Sequence, residues 1–449
     1  MCLLFVIGYS AMSTHTRRRF LKDAALGLTA STLIGSPLKS RAADVSQHVR
    51  IGVIGCGNQG TNHIRSLGAL PNVQVVYVCD VDDKRLADSQ KLVPGARGVT
   101  DLRRLLDDQT VDAVSIATPD HWHVPATLLS LDAGKHVYVE KPCCHNVREG
   151  QLLRDTVAKH DRVVVHGTQS RSNPAIRQAI AMLHDGLIGD VLVAKCWNWQ
   201  QRKDIGRREP SAPPTGVDYD TWVGPAEWMP YQANRFHYDW HWWYNFGCGD
   251  LGNDGIHELD YALWGLGATT HPSTVSAAGG KFFFDDDQQF PDTQQVTFEY
   301  PGDGKPGNRR MLIYEQRLWS TTYPNNVDSG AEFYGTKGRM FLSKRGKFEV
   351  VGERNKPLDA RLDQEIRSAG PANFVNWLDC IQSGGEPNAN IENAVRTATA
   401  VHLGNIATRL QRTVRFDSES EKITGDNEAN SLLERRYREG GHWGVPDGV

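Results

Sequence analysis

Nowhere in this sequence do cysteines form a CxxC pair or share a His/Cys cluster at zinc spacing, so no metal site is expected. The 8 cysteines are scattered, and some sit in apolar runs such as VVYVCD, where a free thiol behaves as a small hydrophobe. A chain of 449 residues can bury two or three cores and needs no disulfide framework. An excess of one charge is also missing. Lys+Arg number 50 against Asp+Glu 53, with no basic patch beyond the N-terminus, so nucleic acid is not an expected partner. No apolar run is long enough for a membrane-spanning helix, so no stable membrane anchor is expected, and no internal repeat is visible. Tryptophan, by contrast, is abundant: most of the 12 lie between Trp197 and Trp264. Aromatic faces suit sugar rings, and they equally fill cores.

Residues 1–43 read as an export signal. TRRRFLK, from Thr16 to Lys22, has the twin-arginine pattern, and a weakly apolar stretch from Ala24 to Ile34 follows. Small residues around Ala42 and Ala43 offer a cleavage site. The expectation is a protein exported to the periplasm by the twin-arginine machinery.

Residues 44–170 read as a doubly wound parallel sheet. VRIGVI, Val49 to Ile54, is a β-branched strand, followed by Gly55-Cys56-Gly57-Asn58-Gln59-Gly60 and a helical run. In such a GxGxxG loop Gly55 permits the tight turn, Gly57 the approach of a pyrophosphate, and Gly60 close helix–strand packing, with Asn58 and Gln59 at the phosphate-facing helix start. A second strand, VQVVYVCD, ends in Asp80, about twenty residues on, where a carboxylate takes the adenosine ribose hydroxyls. No arginine follows Asp80 directly, so NAD is favoured; Arg85, five residues on, keeps NADP open as the lesser option. Further strand–helix alternation runs through VDAVSIAT and KHVYVEKP, whose ends carry Thr118, Pro119, His123, Glu140, Lys141 and Pro142. Ligands of such sheets bind at those strand ends.

These segments resemble the Gfo/Idh/MocA superfamily, the relatives of glucose-fructose oxidoreductase and inositol dehydrogenase. ATPDHWH is similar to the family's TPxxxH loop, and YVEKP contains its EKP. GTQSRSNPAI, EFYGTKGRM and the region from Asn373 to Ala407 also look familial, so the resemblance covers roughly residues 49 to 416. It implies that Lys141 contacts nicotinamide ribose and substrate, and that a cis bond precedes Pro142. The family's DxxxH pair is matched by Asn253 and His257, so His257 is the implied general acid–base while Asn253 replaces the usual carboxylate. Further candidate substrate contacts are Gln169, Arg171, His237, Trp243 and Asp254. The catalytic candidates are therefore Lys141, His257 and Asn253.

Residues 171–416 read as a second domain for substrate and oligomer contacts. STVSAAGGKFFF, TQQVTFEY, RRMLIYEQR, GAEFYGTK and RMFLSKRGKFEVV look like strands of a mostly antiparallel sheet. Family resemblance implies an open-faced sheet and a homo-oligomer, dimer or tetramer. Residues 371 to 411 look helical, and residues 417–449 form a charged, exposed wrapping tail.

The expected function is hydride transfer between a sugar C–H and nicotinamide, with tightly bound NAD, because an exported enzyme has little free NAD to draw on. Two alternatives stand beside it. One is a redox-neutral glycosidase or epimerase passing through a keto sugar; the other is a non-catalytic sugar-binding protein that keeps its nucleotide. The export expectation is testable by itself. Arg17→Lys/Arg18→Lys should leave the folded protein in the cytoplasm, and continued secretion of that variant would refute the signal reading.

Overall fold

The computed structural model describes residues 48–367 and 370–448; the segment read from sequence as an export signal lies outside the described residues. Six strands pair in parallel in the order β3-β2-β1-β4-β5-β6. They are β1 (Val49–Ile54), β2 (Val73–Cys79), β3 (Arg97–Val99), β4 (Ala113–Ile116), β5 (His136–Val139) and β6 (Val164–His166). β1, β2 and β4 are apolar almost throughout because helices cover both faces of the sheet. The helices between them start on side-chain caps: Asp82 accepts from the Lys84 and Arg85 amides, and Asn146 from the Glu149 amide. Strand order reverses between β1 and β4, which opens a crevice at their carboxyl ends.

A second sheet has nine strands: β7 (Val191–Asn198), β8 (Thr274–Gly280), β9 (Thr293–Tyr300), β10 (Arg310–Arg317), β11 (Ser329–Gly335), β12 (Gly338–Ser343), β13 (Lys347–Gly352), β14 (Val414–Asp417) and β15 (Lys422–Ile423). Their order is β13-β12-β11-β7-β10-β9-β8-β14-β15, antiparallel except for the β7–β10 pair. The expected mostly antiparallel sheet is thus present. One of its inner strands, β7, paired between β11 and β10, was not anticipated. In β9 and β10 buried and less buried residues alternate, and the buried set packs under the helices Ile256–Leu266 and Ile391–Leu410.

Three segments depart from expectation. The strand read through Lys281–Phe284 stops at Gly280, because the Asp292 carboxylate accepts the amides of Phe282, Phe283 and Phe284 and turns the chain aside. The helical stretch after 370 is two helices, Gly370–Ser383 and Ile391–Leu410. Gly384, at φ +71°, ends the first, and the Asn390 side chain caps the second by accepting the Asn393 amide. The C-terminal segment is charged, but it is clamped and partly buried: Arg435 pairs with the fully buried Glu149 at 2.6 Å.

Both helices brace the nucleotide sheet, and the second also ties it to the other sheet. Phe374, Trp377 and Leu378 enter the core beside β1 and β2. The helix Ile391–Leu410 serves two cores, with Val395 and Ala398 in the nucleotide half and Val401, Leu403 and Ile406 in the other. Asn373, fully buried, donates to Tyr138 Oη (3.1 Å) and the His166 carbonyl (3.0 Å) and accepts from Ser172 Oγ (2.8 Å). Asn373→Ala strands all three partners, so it should lower stability by about 2 kcal/mol or more in a denaturant titration; an unchanged midpoint would refute this role.

Candidate active site

Backbone geometry makes the glycine loop a cradle. Gly55 has φ +86°, and a Cβ there would lie 2.6 Å from the Ala117 carbonyl oxygen; a Cβ on Gly60 would lie 1.8 Å from the Gly55 oxygen. Gly57 caps the helix Asn58–Gly68 without any side chain, so the first-turn amides face the cleft unclaimed, as a phosphate requires. Asp80, at the end of β2, accepts the amides of Cys56 (2.6 Å) and Asp82 (2.9 Å), which fixes its carboxylate at the rim. Burial raises the Asp80 carboxyl against those bonds. Arg85 reaches across the loop, within 3.0 Å of where a Gly57 Cβ would stand. This cradle fits a dinucleotide.

From Asp80 a cleft of about 390 Å³ runs to His257 at the junction of the two sheets. At the end of β5 the chain passes Glu140 and the cis Lys141–Pro142 bond expected from sequence. The Glu140 carboxylate accepts from Gln59 Nε2 at 2.9 Å and the Lys141 amide at 3.0 Å, and it faces His63 Nε2 at 2.9 Å. Burial would raise Glu140, but the His63 and Gln59 hydrogen bonds and the Lys141 charge hold it well below the usual carboxylate range. His123 stands between the Pro142 carbonyl (2.6 Å) and the Thr118 carbonyl (2.9 Å), so it joins two site loops and does not point a free nitrogen at a ligand. Thr118 Oγ1, beside it, is buried without a partner among the described residues. Pro119 and Gln169 also line the cleft.

The other wall is a π-turn, Leu251–Gly255, that runs into the helix Ile256–Leu266. Such wide turns recur at functional sites because they re-aim side chains within a helix. Asp250, buried, accepts from Asn198 Nδ2 (2.8 Å), Arg202 Nε (3.1 Å) and Nη2 (2.8 Å), and Asn253 Nδ2 (3.0 Å). The amide of Asn253 is thereby oriented with Oδ1 outward, 3.3 Å from Lys141 Nζ, which also donates to the Asn253 carbonyl. Asp254 pairs with Arg202; burial opposes its charge, but Lys344, Arg202 and Lys141 keep its carboxyl low. His257 lies at the cleft wall with Nδ1 buried and, among the described residues, unpartnered. Burial, then the Lys344 and Lys141 charges, push its imidazole well below the ordinary histidine range, so it is neutral near pH 7 and able to accept a proton.

Comparison with known proteins fits this geometry. Residues 49–168 match the model of the oxidoreductase family's NAD-binding Rossmann fold, and residues 178–317 and 320–443 match that of its C-terminal alpha/beta domain. The chain belongs to the Gfo/Idh/MocA oxidoreductase family. A glycosyl hydrolase family 109 protein of Saccharopolyspora erythraea is 32% identical over 35% of this chain and 36% of its own. Inositol 2-dehydrogenase 1 of the same organism is 34% identical over 33% of this chain and 45% of its own. The chain thus spans half or less of the length of the curated relatives it matches. Levoglucosan dehydrogenase, in complex with NADH and levoglucosan, shares the fold at TM-score 0.64 and 18% identity, over 82% of this chain and 99% of that one. The aldose-aldose oxidoreductase from Caulobacter crescentus does so at 0.64 and 18%, over 82% and 100%.

Against the family pattern, Asn253 now has a physical reason. An aspartate there would put a second carboxylate beside Asp250; the amide bridges the Asp250 anion and the Lys141 cation instead. Several candidate contacts sit elsewhere than expected. Arg171 lies outside the cleft, its Nε 2.8 Å from the buried Asp260 carboxylate. Trp243 belongs to an aromatic core with Trp222 and Phe236, its Nε1 donating to the Asn234 carbonyl. His237 lines the cleft at its nucleotide end, Nε2 3.2 Å from Asp82, in a left-handed conformation at φ +52°. Glu140 holds the Lys141 amide, and Asn253 holds its ammonium. Tyr238, Trp240 and His241 form the aromatic wall, and Arg202 and Lys344 supply charge that motif spacing could not reveal, since they come from other segments.

Lys344 pairs with the buried Glu258 at 3.0 Å. Lys344→Met/Glu258→Gln removes a cation near His257 while leaving no buried acid unpaired. The His257 pKa should rise toward its ordinary value, and the acid limb of kcat/KM should move to higher pH. Asp120, pushed up to about 6 by burial, also titrates in the cleft, and the comparison with the parent protein separates the two groups. An unmoved limb would sink His257 as the base. Asn253→Asp should lower kcat/KM most at high pH, where both carboxylates ionise, and Asn253→Asp/Asp250→Asn should recover most of the loss. A single variant as active as the parent at every pH would contradict the bridging role.

Proposed function

We propose that this protein is an NAD-dependent oxidoreductase of a sugar or sugar derivative that keeps its cofactor bound. The carrying observation is that His257, Lys141 and the glycine cradle line one cleft. The Gly55–Gly60 loop would hold the pyrophosphate and Asp80 the adenosine ribose. Bound NAD supplies the hydride acceptor. His257 takes the proton of the hydroxyl being oxidised, and the Lys141 ammonium donates a hydrogen bond to that oxygen and stabilises its developing negative charge. Asn253 and Glu140 hold Lys141 at its two ends, ammonium and amide, so the cation is pre-positioned. Tyr238 and Trp240 offer faces for a sugar ring. The levoglucosan and inositol dehydrogenases among the similar proteins support the substrate class. Twin-arginine export belongs to the same proposal, since a cofactor that stays bound survives outside the cytoplasm.

A redox-neutral reaction is the second reading, favoured by the glycosyl hydrolase among the relatives. A panel of sugars and aryl glycosides separates them: net NADH formation supports the dehydrogenase, and aglycone release without NADH supports the glycosidase. Lys141→Ala and His257→Ala should each cut turnover about a hundredfold or more, with NAD binding within a few-fold of the parent. Full activity in both variants would overturn the roles given to Lys141 and His257, whereas a parent protein that binds sugar but turns over none of the panel would favour a sugar-binding protein.

A further inference from the structure

The C-terminal segment lines the cleft. Trp443 shares that lining with Asp80, Arg85, Thr100 and Leu102, at the end remote from His257 in the chain's topology. It stands between two elements of the nucleotide sheet. The Arg103 guanidinium, on the helix after β3, lies 4.3 Å over its ring, and Trp122, in the turn after β4, packs at 5.2 Å between centroids. Gly444 lets the chain press closer, since a Cβ there would sit 2.6 Å from the Trp122 ring.

This placement is fastened on both sides. Arg435 pairs with Glu149 at 2.6 Å and donates to the His121 carbonyl at 2.9 Å, and Tyr437 Oη donates to Glu149 at 2.9 Å. Those partners belong to the nucleotide half. On the other side the Arg438 amide donates to the Pro225 carbonyl at 3.0 Å, its guanidinium pairs with Asp220, and Tyr437 bridges Ala226. Those partners belong to the aromatic segment that supplies Trp222 and Phe236 to the same cleft. The segment therefore straps the two walls together across the mouth of the nucleotide end.

We propose that residues 435–445 are part of the cofactor site, with Trp443 forming the outer wall against the adenine of the bound dinucleotide. In a sheet of this order the ribose carboxylate is Asp80, and the base lies beyond it, over the ends of β3 and β4. That region is where Thr100, Leu102 and Trp443 converge. An indole held by Arg103 and Trp122 offers the base an apolar surface already ordered before binding. The nucleotide then exchanges only when the strap lifts, which deepens the retained-cofactor reading and rests on the NAD site described above.

The test is the rate of NADH release from the full-length protein, followed by NADH fluorescence after mixing with excess NAD. Trp443→Ala should release NADH about tenfold faster or more, the size of a lost aromatic–base contact. Trp443→Phe should stay within about threefold of the parent because it keeps an aromatic face. Arg438→Ala, which cuts a tether outside the cleft, should speed both association and release and leave Kd closer to the parent than Trp443→Ala does. Release from Trp443→Ala at the parent's rate, in protein with the parent's Tm, overturns the proposal. A parent protein that binds no NADH at all overturns the NAD-site reading instead, so the two failures are distinguishable.

Discussion

The ammonium of Lys141 joins the two halves of this molecule chemically. It sits at the end of a strand of the parallel sheet and donates to the carbonyl and amide oxygen of Asn253, on a π-turn of the second domain. A cation in a partly enclosed cleft must be paired or hydrogen-bonded, and every group around it is arranged to meet that need. Asp250 orients the Asn253 amide, Arg202 pairs with both Asp250 and Asp254, and Glu140 fixes the Lys141 backbone. Glu140 acts on Lys141 directly, Asp250 acts through Asn253, and Arg202 acts through Asp250 and Asn253 in turn.

The electrostatics around His257 follow from the same crowding. Its imidazole is largely buried at the cleft wall and has two lysine charges nearby, and both effects favour the neutral form. The carboxylates Asp254 and Glu140 pull the other way but are already engaged by Arg202, His63 and Gln59. The result is a base that stays deprotonated well into mild acid while retaining a neighbouring cation to stabilise negative charge on oxygen. A family-typical aspartate at position 253 would have to share its space with the buried Asp250, and like charges that close cannot both ionise at low cost. The substitution is thus compensated within this chain's own network.

The tryptophan-rich segment shows how composition divides between packing and function. Tyr219, Trp222, Phe236, Trp243 and Phe246 stack into a small core that lacks long helices, and this core holds Tyr238, Trp240 and His241 over the cleft. A segment with so little regular backbone structure depends on aromatic contacts and on the C-terminal strap for its position. The indole that sequence marked as a substrate contact, Trp243, is one of the packing residues, and its neighbour Trp240 faces the cavity. Adjacent aromatics in a short turn point to different sides, so no count of tryptophans could have sorted them.

The sequence alone determined what is local. The Gly55–Gly60 loop, the acid at Asp80, the EKP strand end and the Asn253/His257 spacing are each set by backbone conformation over a few residues, and all of these lie along the cleft. The parallel sheet was equally legible, because strands buried on both faces leave unbroken apolar runs. Tertiary structure decided whatever depends on partners distant in the chain. β7 became an inner strand of the second sheet through pairing with strands far along the chain. Arg171 left the candidate site because Asp260, 89 residues away, claims its charge. Arg202, Lys344 and Trp443 entered the cleft's surroundings from separate segments. Charge pairing and aromatic packing act through space, and the distances they need are fixed only once the chain has closed on itself.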